Sequence, residues 1–240
     1  MKNKERQQEF GFTNLGGKRR GAGRKPKGER AGVSHAKRPE LRARYPVLVT
    51  IRLREGLPSL RCDAEHEVVR DALADSARET FHVVHYSVQS NHVHMLVEAK
   101  DEGALSRGMN SLAVRLVRRL KKLWASVGAR VEGRVLADRY HARILRTPRE
   151  VRNALVYLLQ NGRKHDSWRL ARPDPYSSAS SFDGWRGDAR DAERRERERR
   201  DAESEAELAP WVARARSWLL SFGWRRHGLI DFGEAPAVAA

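Results

Sequence analysis

Cysteine is almost missing from this chain: Cys62 stands alone among 240 residues. A disulfide framework and a cysteine-built zinc cluster are therefore excluded, and a reducing cytoplasm is the expected compartment. Long apolar runs are missing as well. No stretch reaches the roughly 20 residues that cross a bilayer, and Met1–Phe10 is too polar for a secretory signal, so no membrane partner is expected. Acidic residues are the third shortfall, 31 Asp and Glu against 48 Lys and Arg, leaving a formal charge of +17. A surface of that sign displaces counterions from polyanions and binds nucleic acid in a salt-dependent way. What remains, 40% hydrophobic residues, suffices for one real core with charged extensions.

Charge and periodicity divide the chain. The first 44 residues hold 14 Lys and Arg against 4 Asp and Glu and almost nothing to bury, which predicts a disordered basic arm over 1–44. Within it Arg24 and Lys25 (GRKPKG) suit either insertion into a narrow minor groove or a plain electrostatic tether. Regular periodicity occupies 45–183, the expected compact domain. The segment 184–208 is dense in both charge signs and reads as a linker or an exposed helix. In the tail, 209–240, Trp211, Trp218, Leu219, Leu220 and Trp224 predict a final helix that packs back on the domain.

Inside 45–183 the patterns are legible. Tyr45–Leu53 alternates as a strand does, Asp63–Thr80 has helical spacing, and Phe81–Ser90 and His92–Ala99 are strands joined by a polar hairpin step, Gln89-Ser90-Asn91. Leu105, Met109, Leu112, Leu116, Leu120 and Leu123 mark an amphipathic helix. Its other side carries Arg115, Arg118, Arg119 and Lys122, equally readable as a solvated face or as a track for phosphates. A further strand is expected around Arg143–Arg146. Thr147, Pro148 and Glu150 then form an N-terminal helix signal, a capping box with proline at the first helical position, for a helix reaching about Gln160. The order strand, helix, strand, strand, helix, strand, helix predicts an α+β fold, an antiparallel β-sheet with flanking α-helices.

Two segments carry chemistry. In His92-Val93-His94 alternation puts both imidazoles on one face, with bases about 6.6 Å apart, where they can share a divalent cation or be two ordinary strand histidines. His82 and His85 on the neighbouring strand compete as partners of that pair rather than ligands. On the capped helix Tyr157 is displaced from the arc of Val151, Ala154, Leu155, Leu158 and Leu159. Asn161 lies one turn beyond it, placed to add an amide oxygen to a metal shell. Two imidazoles and a carbonyl oxygen suit Mg2+ or Mn2+, with zinc also tolerated by imidazole, and leave positions open for a phosphate. A phenol with a pKa near 10 needs that cation, or a neighbour such as Lys164, to act as a nucleophile.

His92-Val93-His94 followed by Tyr157-Leu-Leu-Gln-Asn161-Gly-Arg-Lys164-His165 resembles the HUH (histidine, hydrophobic, histidine) single-tyrosine transposases, and within them the REP-associated tyrosine transposases. Tyr157, Asn161, Lys164 and His165 match that branch position by position, with Gly162 in place of its proline. Asp138-Arg139-Tyr140-His141-Ala142-Arg143-Ile144-Leu145-Arg146 and Pro175-Tyr176-Ser177-Ser178 also look familial, so the resemblance spans roughly 45–183. It implies the HUH endonuclease fold, ferredoxin- or RRM-like, with His92, His94 and Asn161 as metal ligands and Tyr157 as nucleophile. Lys164 and His165 would support them. The implied activity is cleavage of single-stranded DNA beside REP-like hairpins through a 5′-phosphotyrosine that leaves a free 3′-hydroxyl, by a bacterial, nucleoid-associated monomer or homodimer. Rival readings are a hairpin DNA- or RNA-binding protein that does not cut, a hydrolase that activates water, and a structural RNA-associated protein.

Overall fold

The computed structural model describes residues 39–161, 173–187 and 211–234, all within the unit His35–Ala240. Arg24, Lys25, Lys164 and His165 lie outside the described residues, as do all of the basic arm before residue 39 and most of 184–208.

Strand β1 (Val47–Arg52) is followed by α1 (Asp63–Ser76), β2 (Phe81–Val88), β3 (His92–Ala99), α2 (Glu102–Ser126), β4 (His141–Ile144) and α3 (Pro148–Gln160). The strands form one antiparallel sheet in the order β2-β3-β1-β4. The protein is thus α+β, an antiparallel sheet flanked by helices. Alternation decides its two faces. Val47, Val49, Ile51, Val93, Met95 and Val97 are buried in one core under α1 and α2, together with Leu105, Met109, Leu112, Leu116 and Leu120 of the α2 stripe. Leu96 and Val84 belong to a second core with Val151, Leu155, Leu158 and Leu159 of α3. Gly108 lets α2 approach the sheet, since a Cβ there would lie 2.1 Å from the Phe81 ring.

Helix α3 begins as its sequence dictates: Thr147 accepts from the Glu150 backbone N–H, the Glu150 carboxylate accepts from the Thr147 backbone N–H, and proline opens the first turn. Several boundaries differ from the sequence reading: β1 spans Val47–Arg52 rather than Tyr45–Leu53, and β2 ends at Val88 rather than Ser90. Helix α1 stops at Ser76 rather than Thr80, because Arg78 and Phe81 exchange backbone hydrogen bonds that turn the chain into β2. Strand β4 starts at His141, earlier than Arg143, because its partner β1 is already extended opposite it.

The tail meets the second core. The final helix is shorter than expected, an α-turn at Trp218–Ser221 (α4) and a 3-10 helix at Gly223–His227, and Trp211 lies outside it. Leu219, Leu220 and Trp224 are buried against α3, and Trp185–Arg186 (β5) pairs with Ile230–Asp231 (β6). Glu98 at the end of β3 fastens this segment, accepting from the backbone N–H groups of Arg216 and Ser217 at 2.8 Å each and from His82 Nε2 at 2.9 Å. Burial alone would raise the Glu98 pKa, but these hydrogen bonds hold it below the ordinary carboxylate value.

The two edges of the sheet are unlike. Along β2, Tyr86 N–H donates to Ser178 Oγ at 3.0 Å, Val88 N–H to the Tyr176 carbonyl at 2.8 Å, and Ala213 N–H to the Val83 carbonyl at 2.9 Å. Along β4, no described strand pairs with the outer edge. Among the described residues no helix is long and apolar enough to cross a membrane.

Burial, joined for His66 by the Arg70 charge, pulls the pKa of both His66 and His85 down from 6.5 to about 4. Both are neutral when folded, whereas the unfolded chain takes up their protons near 6.5. Between about 4 and 6.5 the unfolded state therefore binds more protons. This part of the stability is full above pH 6.5 and declines on acidification, by up to about 1.4 kcal/mol per pH unit for each histidine. Urea midpoints should fall steadily from pH 6.5 to 4.5; midpoints that stay level or rise would contradict it.

Candidate active site

The central position of β3, between β1 and β2, fixes where the two histidines project. Residues directly paired across an antiparallel sheet share a face. Thr50 is paired with His94 and Arg52 with His92, so all four point away from α1 and α2, toward α3. His94 is buried and His92 half-buried, and their rings meet edge to face with centroids 4.6 Å apart.

Each Nδ1 is held by a neighbouring oxygen, His94 by Thr50 Oγ1 at 2.8 Å and His92 by Asn91 Oδ1 at 2.8 Å. The Asn91 oxygen can only accept, so His92 donates through Nδ1–H and turns the lone pair of Nε2 into the site. Both neighbours of the His94 ring are hydroxyls, each able to donate or to accept. The Tyr157 hydroxyl lies 3.1 Å from Nε2 and the rings stand edge to face at 5.0 Å. With the phenol donating to Nε2, Nδ1–H donates to Thr50. Burial, followed by the His92 charge, pushes the His94 pKa down to about 3, so the ring is neutral. Burial also raises the Tyr157 pKa above its ordinary value.

The α3 wheel accounts for the tyrosine. Its apolar arc faces the sheet and the tail, leaving Tyr157 half-buried and Asn153, one turn earlier, exposed. Asn161 is the C-cap and is buried. The structure brings His92, His94 and Tyr157 together, and Asn161 stands one turn beyond Tyr157 on the same helix.

His82 and His85 are not part of this cluster: His82 serves Glu98, and His85 Nδ1 sits 3.2 Å from Ser178 Oγ with its ring against Phe182. The α2 cations are also elsewhere. Arg115, Arg118, Arg119 and Lys122 belong to the helical layer on the opposite face, where Arg119 pairs with Asp75 on α1 while Arg118 and Lys122 are exposed. Thr50 and Asn91 went unnoticed in the sequence. Alternation marks Thr50 as the polar position of VLVTIR, but only the pairing of β1 with β3, 44 residues apart, reveals its partner.

A cation fits the donor set: two imidazoles, each with Nδ1 beside an oxygen, are oriented as metal-binding histidines are. Among the described residues no cluster of three or more His, Cys, Asp or Glu could hold a metal. A cation at this site would thus rest on two imidazoles and leave its other positions to amide or phosphate oxygens.

Phenylalanine at position 157 would keep the ring packing and delete the hydrogen bond to His94. Tyr157→Phe should change the unfolding free energy by less than about 1.5 kcal/mol in chemical denaturation. A loss of about 3 kcal/mol, as from a core cavity, would show the phenol to be structural.

Residues 47–158 match the family described as "Transposase IS200 like". No curated protein matches the chain. Among solved structures it is similar to one described as "Structure of the REP associates tyrosine transposase bound to a REP hairpin", at 16% identity and a TM-score of 0.46, covering 60% of this chain and 82% of the other. The matched segment, 47–158, contains both histidines and the tyrosine and is similar to IS200-like transposases.

Proposed function

We propose that this protein is a single-strand DNA endonuclease and strand transferase of the REP-associated tyrosine transposase type, with Tyr157 as nucleophile. The observation that carries the reading is the 3.1 Å contact between the Tyr157 hydroxyl and His94 Nε2, made by residues 63 positions apart in the segment similar to transposases. The substrate is DNA carrying a hairpin with a single-stranded flank. The phenolic oxygen attacks the scissile phosphorus, the bond to the 3′ oxygen breaks, and that oxygen leaves as a 3′-hydroxyl while Tyr157 retains the 5′ phosphate. Attack on the phosphotyrosine by another 3′-hydroxyl reverses the step and joins strands. Bound at His92 and His94, with Asn161 as third ligand, a divalent ion (Mg2+ or Mn2+) would supply positive charge to the phosphate oxygens and favour phenolate.

The protein's own residues prepare this chemistry. Thr50 and Asn91 orient the imidazoles, β3 holds them rigid between two strands, and α3 aims the phenol at them. Lys164 and His165 are assigned supporting roles by their place in the Tyr157–His165 motif. Residues before 39 are assigned to a basic arm that adds charge through Arg24 and Lys25, and those after 187 to a linker. The expected bounds 1–44 and 184–208 are too wide, because Leu41 is buried in the core and Trp185–Arg186 forms β5. The enzyme would act in a bacterial cytoplasm, on the nucleoid.

The test is a labelled hairpin with a single-stranded flank, incubated with Mn2+. Wild-type protein should form a covalent adduct that survives denaturation. Tyr157→Phe should abolish it while changing affinity less than about twofold, and His92→Ala or His94→Ala should lower its yield 100-fold or more, on the order of the loss from removing a transition-state interaction. Binding without any adduct would identify a non-catalytic hairpin-binding protein. Cutting without an adduct would identify a hydrolase that uses water.

A further inference from the structure

Among the described residues, the two sides of the site differ, and the side toward β4 carries cations. At the β2 edge, Tyr176, Ser178 and Ala213 take up backbone positions of the strand, while α3 and the tail cover the adjoining face. The β4 edge has no described strand beyond it. Register continues the row of paired residues toward that edge: His94 is opposite Thr50, Thr50 opposite His141, and Leu48 opposite Arg143. Arg52, His141 and Arg143 therefore share the face of the imidazoles, and all three are exposed. Glu150 lies 3.4 Å from Arg143, and its carboxylate is engaged in the helix cap. Helix α3 packs on β2 and β3 beside this strip, with Tyr157 and the exposed Asn153 one turn apart.

We propose that the groove between α3 and the β1–β4 side of the sheet carries the single strand to Tyr157, with Arg52, His141 and Arg143 on its floor as contacts to backbone phosphates. Neither the composition nor the spacing of these residues marks them out; the β1–β4 register does. The strand enters across the β4 edge, because β2 is closed. The path also excludes the α2 cations from the flank, since they lie on the other face of the sheet. This inference rests on the proposed nuclease reading for its substrate class and not for its geometry.

The experiment uses the full chain carrying Tyr157→Phe, so that binding is read without cleavage. Dissociation constants are measured over a series of salt concentrations for a hairpin with a single-stranded flank and for the same hairpin without it. Arg52→Ala/Arg143→Ala should weaken the flanked substrate on the order of tenfold at low salt and leave the bare hairpin nearly unaffected. The slope of log affinity against log salt should fall by about 0.7 for each arginine removed. Both side chains are exposed, and Arg52→Lys/Arg143→Lys, which keeps the charge, should restore most of the flank's contribution. Full flank affinity and an unaltered slope in the alanine variant would overturn the path. So would an equal or larger loss of the flank's contribution from Arg118→Ala/Lys122→Ala on α2. Adduct formation by the wild-type chain is scored separately: its absence rejects the nuclease chemistry and leaves the groove result to stand or fall by itself.

Discussion

The antiparallel register between β1 and β3 is the constraint on which the site depends. It sets Thr50 opposite His94 and Arg52 opposite His92, and so decides at once which face holds imidazoles and what anchors them. Side chains alternate with period two, so a slip of one residue would send both histidines into the core beneath α1 and α2 and bring Val93 and Met95 to the tyrosine. Burying Val47, Val49, Ile51, Val93, Met95 and Val97 together penalises that slip heavily. The hydrophobic core on one face thereby specifies the polar geometry on the other.

The same division explains why cations are found on both faces with different neighbours. On the α2 side, the apolar stripe is spent on the sheet and Arg119 on α1, leaving a solvated helical surface. On the α3 side, the helix packs on β2 and β3, and among the described residues no strand lies beyond β4. The C-terminal segment contributes to this asymmetry from outside the transposase-matching region. Its backbone N–H groups at Arg216 and Ser217 bind Glu98, a carboxylate that would otherwise be buried at heavy cost.

Local patterns in the sequence identified the elements well where local chemistry governs them. The Thr147–Glu150 cap, the α2 leucine stripe and the alternation of β1 and β3 all depend on residues within a few positions of one another. The elements themselves followed, and so did the facing of His92 and His94. Long-range pairing was not legible. The approach of Tyr157 to the histidine pair was expected from the family resemblance, but Thr50 as the anchor of His94 and the placing of His141 and Arg143 beside it require knowing which strands are neighbours. Periodicity within a segment does not contain that information. The basic stripe on α2 illustrates the converse: its helical spacing is plain in the sequence, yet the layer it occupies is set by the apolar stripe opposite, which turns those arginines away from the imidazole pair.

The hydrogen bond between Tyr157 and His94 also bears on how a nucleophile of this kind is kept safe. A buried phenol is a weaker acid than a free one, and here burial raises its pKa further, while the neighbouring imidazole, driven to about 3, is too weak a base to take its proton at neutral pH. Without added positive charge the pair is a structural contact. Charge arriving at the imidazole lone pairs would compete for the nitrogen that faces the phenol and would stabilise phenolate at the same place. In the proposed enzyme, reactivity is therefore conditional on a cation and a phosphate being present together. The inertness of the bare pair is then a consequence of the same burial that orients it.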